Sequence, residues 1–138
     1  MTNERPAVLV VDDNAALLLA VAHFLNTKGC RVTTAANGTQ GMSAVRREAF
    51  DVVITDLEMP EHGGVWLWER TVKLHPSLHG HFVFITGEPS PTVRNMGRYI
   101  GSERFSLKPL SLAALWNQIQ DILHGSTASA ERSDRASP

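Results

Sequence analysis

The sequence lacks the features that mark several large classes of protein. It has one cysteine, Cys30, so no internal disulfide bond can form, and we interpret this residue as a small buried apolar side chain in a reducing environment. No apolar run reaches the ~18 residues of a membrane span. The first residues, MTNERPA, lack the apolar core of a signal peptide. We therefore expect a cytoplasmic protein that does not contact a membrane.

An excess of charge of one sign is also missing. Lys and Arg number 13 against 14 Asp and Glu, a net charge of −1, which argues against direct nucleic-acid binding. No G-x-G-x-x-G follows the first apolar run and no G-x-x-x-x-G-K-[ST] occurs anywhere, so dinucleotide and P-loop nucleotide sites are disfavoured. The 138 residues, 43% hydrophobic, suffice for one globular domain with its own core.

What the sequence does have is an alternation of short apolar runs with segments of helical spacing. The runs have the length and the Val, Ile, Phe and Thr content of strands, at 7–11, 30–35, 51–56, 81–86 and 104–108. Helical spacing follows each of them, near 14–29, 38–48, 64–75, 91–100 and 112–123. Right-handed crossovers then predict an α/β fold, a flavodoxin-like (βα)5 three-layer sandwich with a parallel sheet in the order 2-1-3-4-5. We assign 1–124 to this domain and 125–138, GSTASAERSDRASP, to a disordered polar tail.

Polar residues stand where the predicted strands end. Asp12 and Asp13 follow the first strand, Asp56 ends the third, Thr86 ends the fourth and Lys108 ends the fifth. In such a sheet, ligands bind beyond the carboxyl ends of the strands, so these side chains are expected to converge. Three carboxylates ~4 Å apart repel one another by several kcal/mol, which Mg²⁺ would offset. With an ammonium and a hydroxyl beside them, the set suits phosphoryl transfer to a carboxylate.

Four motifs at their usual separations carry a family resemblance. VLVVDD, DVVITDLEMPEHGG, FVFITGE and FSLKPL together resemble the receiver domain of two-component response regulators, over residues 6–124. The resemblance implies that Asp56 is the phosphoacceptor. It implies that Asp12, Asp13, Asp56 and the backbone carbonyl of Glu58 bind Mg²⁺. Lys108 and Thr86 would contact the phosphoryl oxygens.

The resemblance also implies moving parts and partners. Thr86 and Phe105 would be the switch residues, the Lys108–Pro109 bond would be cis, and Pro60 and Gly64 fit the loop after the phosphoacceptor. The donor would be a histidine kinase or a histidine phosphotransfer protein. The chain would catalyse only its own phosphorylation and dephosphorylation, so it is not an enzyme in the usual sense.

The resemblance leaves the setting of the chain open. It could be a stand-alone regulator, a relay intermediate or the receiver of a hybrid kinase. Phosphorylation would reshape the face formed by the fourth helix, fifth strand and fifth helix, and a homodimer could use that face or the first helix.

The chain departs from the family pattern at three positions and has one unusual helix. Glu58 and Glu88 place acids beside the phosphoryl site, and we hypothesise that they slow small anionic donors and alter the phosphoryl lifetime; Leu110 stands where Phe is frequent. The first helix has no charged residue between Asp13 and Lys28, so an exposed Leu18 or Leu19 could help to dock a partner.

Other interpretations stay open at this point. Asp12 or Asp13 could cap the first helix, and Phe105 could be an ordinary core residue. The segment TDLE faintly resembles the nucleophile loop of haloacid-dehalogenase-like phosphatases, which leaves the carboxylate pair after the first strand unexplained. A pseudo-receiver used only for docking would lack one of the charged site residues, and none is missing here.

Overall fold

Strands and helices alternate along the whole of the described chain, as predicted. The computed structural model describes residues 5–87 and 90–125, with the side chain of Thr92 left aside, so the tail predicted to be disordered lies almost wholly outside the described residues. The strands are β1 (Ala7–Val11), β2 (Arg31–Ala35), β3 (Val52–Asp56), β4 (Phe82–Thr86) and β5 (Phe105–Leu107). The helices are α1 (Ala15–Thr27), α2 (Gly38–Arg47), α3 (Gly64–Leu74), α4 (Pro91–Ile100) and α5 (Leu112–Leu123).

The five strands form one parallel sheet in the predicted order, β2-β1-β3-β4-β5. Strand β1 pairs with β2 and β3 on its two sides, with Val10 opposite both Thr34 and Ile54. Every residue of β1, β3 and β4 is buried. Burial on both faces of the sheet explains why these strands are continuous apolar runs rather than alternating ones.

Helices cover both faces of the sheet and complete three layers. Val8 and Val10 of β1 pack with Val21 of α1 and Leu115 of α5 in one buried cluster. The alternate residues of β1 pack with α2, α3 and α4 in a second cluster on the opposite face, since successive side chains of a strand point to opposite sides. The site residues at the strand ends therefore rest on a sheet that is held from both sides.

The element boundaries fall where the sequence offers capping residues. Asn14 is the N-cap of α1 and its side chain accepts from the Leu17 N–H, so neither Asp12 nor Asp13 caps that helix. The edge strand β5 is shorter than the predicted 104–108, because a 3₁₀ turn occupies Ser102–Arg104. Among the described residues, no helix has the length and apolar character that crossing a bilayer requires.

Candidate functional site

Three carboxylates meet at the carboxyl edge of the sheet. Asp56 ends β3, and Asp12 and Asp13 follow β1, its immediate neighbour. One carboxylate oxygen from each of the three lies within 4.8 Å of the others. Asp12 and Asp56 are buried, whereas Asp13 is exposed. The parallel pairing of adjacent strands thus joins residues that are more than forty positions apart in the chain.

Backbone N–H groups orient the two buried carboxylates. The N–H of Asn14 donates to Asp12 Oδ1 at 2.8 Å, and the N–H of Glu58 donates to Asp56 Oδ1 at 3.0 Å. In each side chain the other oxygen is left to face the crevice. Asp12 Oδ2 is buried and accepts no hydrogen bond, a condition that normally signals a missing partner.

Lys108 brings a positive charge to the same crevice. Its Nζ lies 3.2 Å from Asp56 Oδ2, a hydrogen-bonded ion pair, and 3.8 Å from Asp12 Oδ2. Its backbone N–H donates to the Thr86 carbonyl at 2.9 Å, which fixes the residue beside the end of β4. The expected cis peptide between Lys108 and Pro109 is confirmed.

Burial and mutual repulsion shape the protonation of the site. Burial raises the pKa of Asp56, against the lowering effect of the Glu58 N–H and of Lys108. Burial likewise raises the pKa of Asp12, with the Asn14 N–H acting against it and the charge of Asp56 adding to it. Burial lowers the pKa of Lys108, but its hydrogen bond to Asp56 and the charges of the aspartates outweigh this effect, so that pKa ends above its usual value. The single ammonium of Lys108 does not balance the negative charges of the three carboxylates.

This deficit fits a hard divalent cation. Three carboxylates around one point, one with a buried oxygen that has no hydrogen-bond partner, are the donor set that Mg²⁺ or a similar ion takes. The exposure of Asp13 leaves one side of the site open to water. The Glu58 carbonyl as a further ligand stays a prediction.

Thr86 ends β4 at the edge of the site, as predicted, but its hydroxyl bonds to a residue that the sequence did not indicate. Its hydroxyl donates to Glu58 Oε2 at 2.7 Å, and the next residue, Gly87, donates its N–H to Glu58 Oε1 at 3.2 Å. The sequence placed the Glu58 side chain over the site but did not predict these contacts. The only signal for them was the acidic residue two positions after Asp56.

The remaining predicted residues have simpler surroundings. Phe105 is half-buried and its ring stacks on Phe84 at a centroid distance of 5.2 Å, so its switch role stays a prediction. Gly64 begins α3 so close to the site that a Cβ there would lie 2.7 Å from the Asp56 carbonyl oxygen. Leu19 on α1 is 74% exposed, as the uncharged helix suggested for one of its leucines. Glu88 lies outside the described residues.

Comparison with known proteins identifies relatives of the same architecture. The family model described as the response regulator receiver domain matches residues 8–120. The transcriptional regulatory protein GlrR of Escherichia coli K12 is 30% identical over 131 residues, 95% of this chain and 29% of that protein. The sensor histidine kinase GacS of Pseudomonas protegens is 30% identical over 114 residues, 80% of this chain and 12% of that protein.

A solved structure shows the same fold along most of the chain. The CheY-like response regulator receiver domain protein of Methanospirillum hungatei JF-1 superposes with a TM-score of 0.80 at 25% identity, covering 91% of this chain and 99% of that one. By contrast, the chain spans less than a third of GlrR and about an eighth of GacS. The likeness is therefore to one domain of these longer regulators and kinases.

Proposed function

The chain belongs to the response regulator receiver domain family, and from this premise we propose that Asp56 accepts a phosphoryl group from the phosphohistidine of a partner protein. One observation carries the proposal: the buried Asp56 carboxylate is held 3.2 Å from Lys108 and beside two further carboxylates at the open edge of the sheet. A carboxylate so placed is a fixed nucleophile with a cation beside the position that the incoming oxygens would take.

The residues divide the work of the transfer between them. A carboxylate oxygen of Asp56 forms the new P–O bond while the P–N bond to the donor imidazole breaks. The electron pair of the P–N bond stays on the imidazole nitrogen. The N–H of Glu58 fixes the orientation of the Asp56 carboxylate by donating a hydrogen bond to its Oδ1. Lys108 shifts from the carboxylate toward the phosphoryl oxygens, whose charge it balances. Thr86 supplies a hydroxyl donor to the same oxygens.

Asp12, Asp13 and Asp56 would hold Mg²⁺, with the Glu58 carbonyl as a further ligand. The ion would neutralise the carboxylates and the phosphoryl oxygens in transfer. The proposal assigns Asp13 the most direct contact, and Asp12 a contact largely through water.

Signalling would follow from the state of Asp56. The donor is a histidine kinase or a histidine phosphotransfer protein, and the modified state favours inward positions of Thr86 and Phe105, which reshape the face of α4, β5 and α5. The chain acts only on its own carboxylate, in the cytoplasm, without direct contact to nucleic acid or membrane. It would serve as a stand-alone regulator, a relay intermediate or a hybrid-kinase receiver, and could dimerise through that face or α1.

Intact mass spectrometry tests the reaction. The protein is incubated with Mg²⁺ and acetyl phosphate, and we expect a gain of one phosphoryl mass that disappears in Asp56→Asn. Asp121→Asn, the same change at an exposed carboxylate on α5, is the matched control and should be phosphorylated like the wild type. Wild-type protein that gains no phosphoryl mass from acetyl phosphate or from a phosphohistidine donor would refute the proposal, and a docking-only receiver would then remain.

A further inference from the structure

The Glu58 carboxylate bridges two elements that meet at the site. Glu58 lies in the loop after β3, and both of its oxygens bond to the end of β4: Oε2 to the Thr86 hydroxyl at 2.7 Å and Oε1 to the Gly87 N–H at 3.2 Å. Thr86 is fully buried, although Glu58 as a residue is exposed. A short bond from a hydroxyl to an ionised carboxylate is among the stronger hydrogen bonds in proteins.

The Thr86 hydroxyl is the donor that the proposed function assigns to an anion on Asp56, and the Gly87 N–H directly follows it in the chain. Glu58 is two residues from Asp56, and its own N–H already bonds to Asp56 Oδ1. A phosphoryl oxygen and a carboxylate oxygen are similar acceptors, each anionic and each able to take a hydroxyl and an N–H. Thr86 has one hydroxyl proton, so it cannot donate to both acceptors at once.

We propose that the Glu58 carboxylate is a built-in competitor of the phosphoryl group, a latch that holds Thr86 and Gly87 in the unmodified protein and must be displaced when Asp56 is modified. The inference rests on the proposed function and deepens it, since it makes Glu58 a positioning residue that acts through Thr86. The latch biases the chain toward its unmodified state, so removing it strengthens the binding of any phosphoryl analogue at Asp56.

A simple charge effect would also weaken anion binding, and the two mechanisms make different predictions. Repulsion from Glu58 acts whether or not Thr86 carries a hydroxyl. A latch acts through that hydroxyl, so the benefit of removing Glu58 shrinks when the hydroxyl is removed. A double-mutant cycle between the two positions therefore separates them.

The experiment measures beryllofluoride affinity with Mg²⁺ by NMR titration, in the wild type, Glu58→Ala, Thr86→Val and the double variant. We expect Glu58→Ala to bind about tenfold more tightly, as for loss of one charged hydrogen bond. In the Thr86→Val background the gain should fall below about threefold. In the Thr86→Ser background, which keeps the hydroxyl, Glu58→Ala should retain the full gain. Glu61→Gln, an exposed acid of the same loop, is the control for charge and should bind like the wild type.

A second measurement needs neither metal nor analogue. The Gly87 amide resonance should shift in Glu58→Ala and stay in place in Glu61→Gln, because that N–H donates to the Glu58 carboxylate. An unshifted Gly87 resonance, or equal gains in affinity with and without the Thr86 hydroxyl, would overturn the latch. Failure of the wild type to bind beryllofluoride would instead count against phosphorylation, and the Gly87 resonance would still decide the contact.

Discussion

At the scale of single residues, the buried carboxylates of the site lower the stability of the folded protein. Asp12 is buried beside Asp56, and one of its oxygens has no hydrogen-bond partner. Burying an ionised carboxylate without full compensation is unfavourable, and the raised pKa of Asp12 expresses this cost. Residues chosen for folding alone would not place two such groups together, so the arrangement favours a role in binding.

Asp12→Asn should therefore stabilise the protein at neutral pH. The amide oxygen can keep the bond from the Asn14 N–H while the charge is lost. The folded-state pKa of Asp12 lies above the usual value of an aspartate, so ionisation opposes folding at neutral pH, and this penalty is relieved as the pH falls through the raised pKa. We expect a gain of about 1 kcal/mol, or about 4 °C in Tm, at pH 7 without divalent cations.

Thermal unfolding at pH 7 and pH 4 measures the stability gain of Asp12→Asn and the direction in which this gain changes with pH. The advantage of Asp12→Asn over the wild type should shrink at pH 4, where protonation relieves the wild type as well. Asp121→Asn should show neither effect. A variant less stable than the wild type at pH 7 would mean that Lys108 already compensates Asp12 in full.

At the scale of elements, the loop between β3 and α3 fixes Asp56, the proposed phosphoacceptor. Gly64, the first residue of α3, packs so closely that an added Cβ would lie 2.7 Å from the Asp56 carbonyl oxygen and 3.1 Å from the Leu57 Cα. Both neighbours are backbone atoms of the site, which cannot rotate away as a flexible side chain would. Only glycine at position 64 lets the start of α3 lie this close to the backbone of Asp56 and Leu57.

Gly64→Ala should accordingly destabilise the fold by about 2 kcal/mol and slow phosphorylation of Asp56, because the loop must shift to admit the methyl group. Gly97→Ala is the matched control, since a Cβ at that position on α4 meets nothing within 4 Å. There the helix should gain up to about 1 kcal/mol from the better helix former. Urea unfolding with acetyl phosphate kinetics tests the pair, and equal effects of the two changes would contradict the steric argument.

The sequence predicted the elements well because each carries a local signal. Apolar runs located β1 and β3, and the helical spacing from residue 112 located the start of α5 to the residue. The strand order was also predictable, since parallel βα units leave few arrangements. The bonds from Thr86 and Gly87 to Glu58 were not predictable, because they join the end of β4 to a loop about thirty residues earlier and no sequence periodicity records such a contact. β5 was predicted two residues too long because a 3₁₀ turn occupies Ser102–Arg104 and the strand ends before Lys108.

At the scale of the whole molecule, the site exists only when the sheet is assembled. Asp12, Asp56 and Lys108 come from β1, β3 and β5 ends that are far apart in the chain, and the order β2-β1-β3-β4-β5 brings them together. An unfolded chain holds no such cluster. A ligand of the cluster must therefore stabilise the folded state, by an amount that grows with the logarithm of its concentration relative to its dissociation constant.

Magnesium should raise the unfolding temperature for this reason. At about ten times its dissociation constant, Mg²⁺ would add about 1.4 kcal/mol, or about 5 °C. Asp13→Asn should lose most of this gain and keep its metal-free stability, because Asp13 is exposed and its removal disturbs no core contact. Asp121→Asn should respond to Mg²⁺ like the wild type. Differential scanning calorimetry with and without Mg²⁺ measures all three proteins, and an equal rise in Asp13→Asn would show that the ion binds elsewhere than among the clustered aspartates.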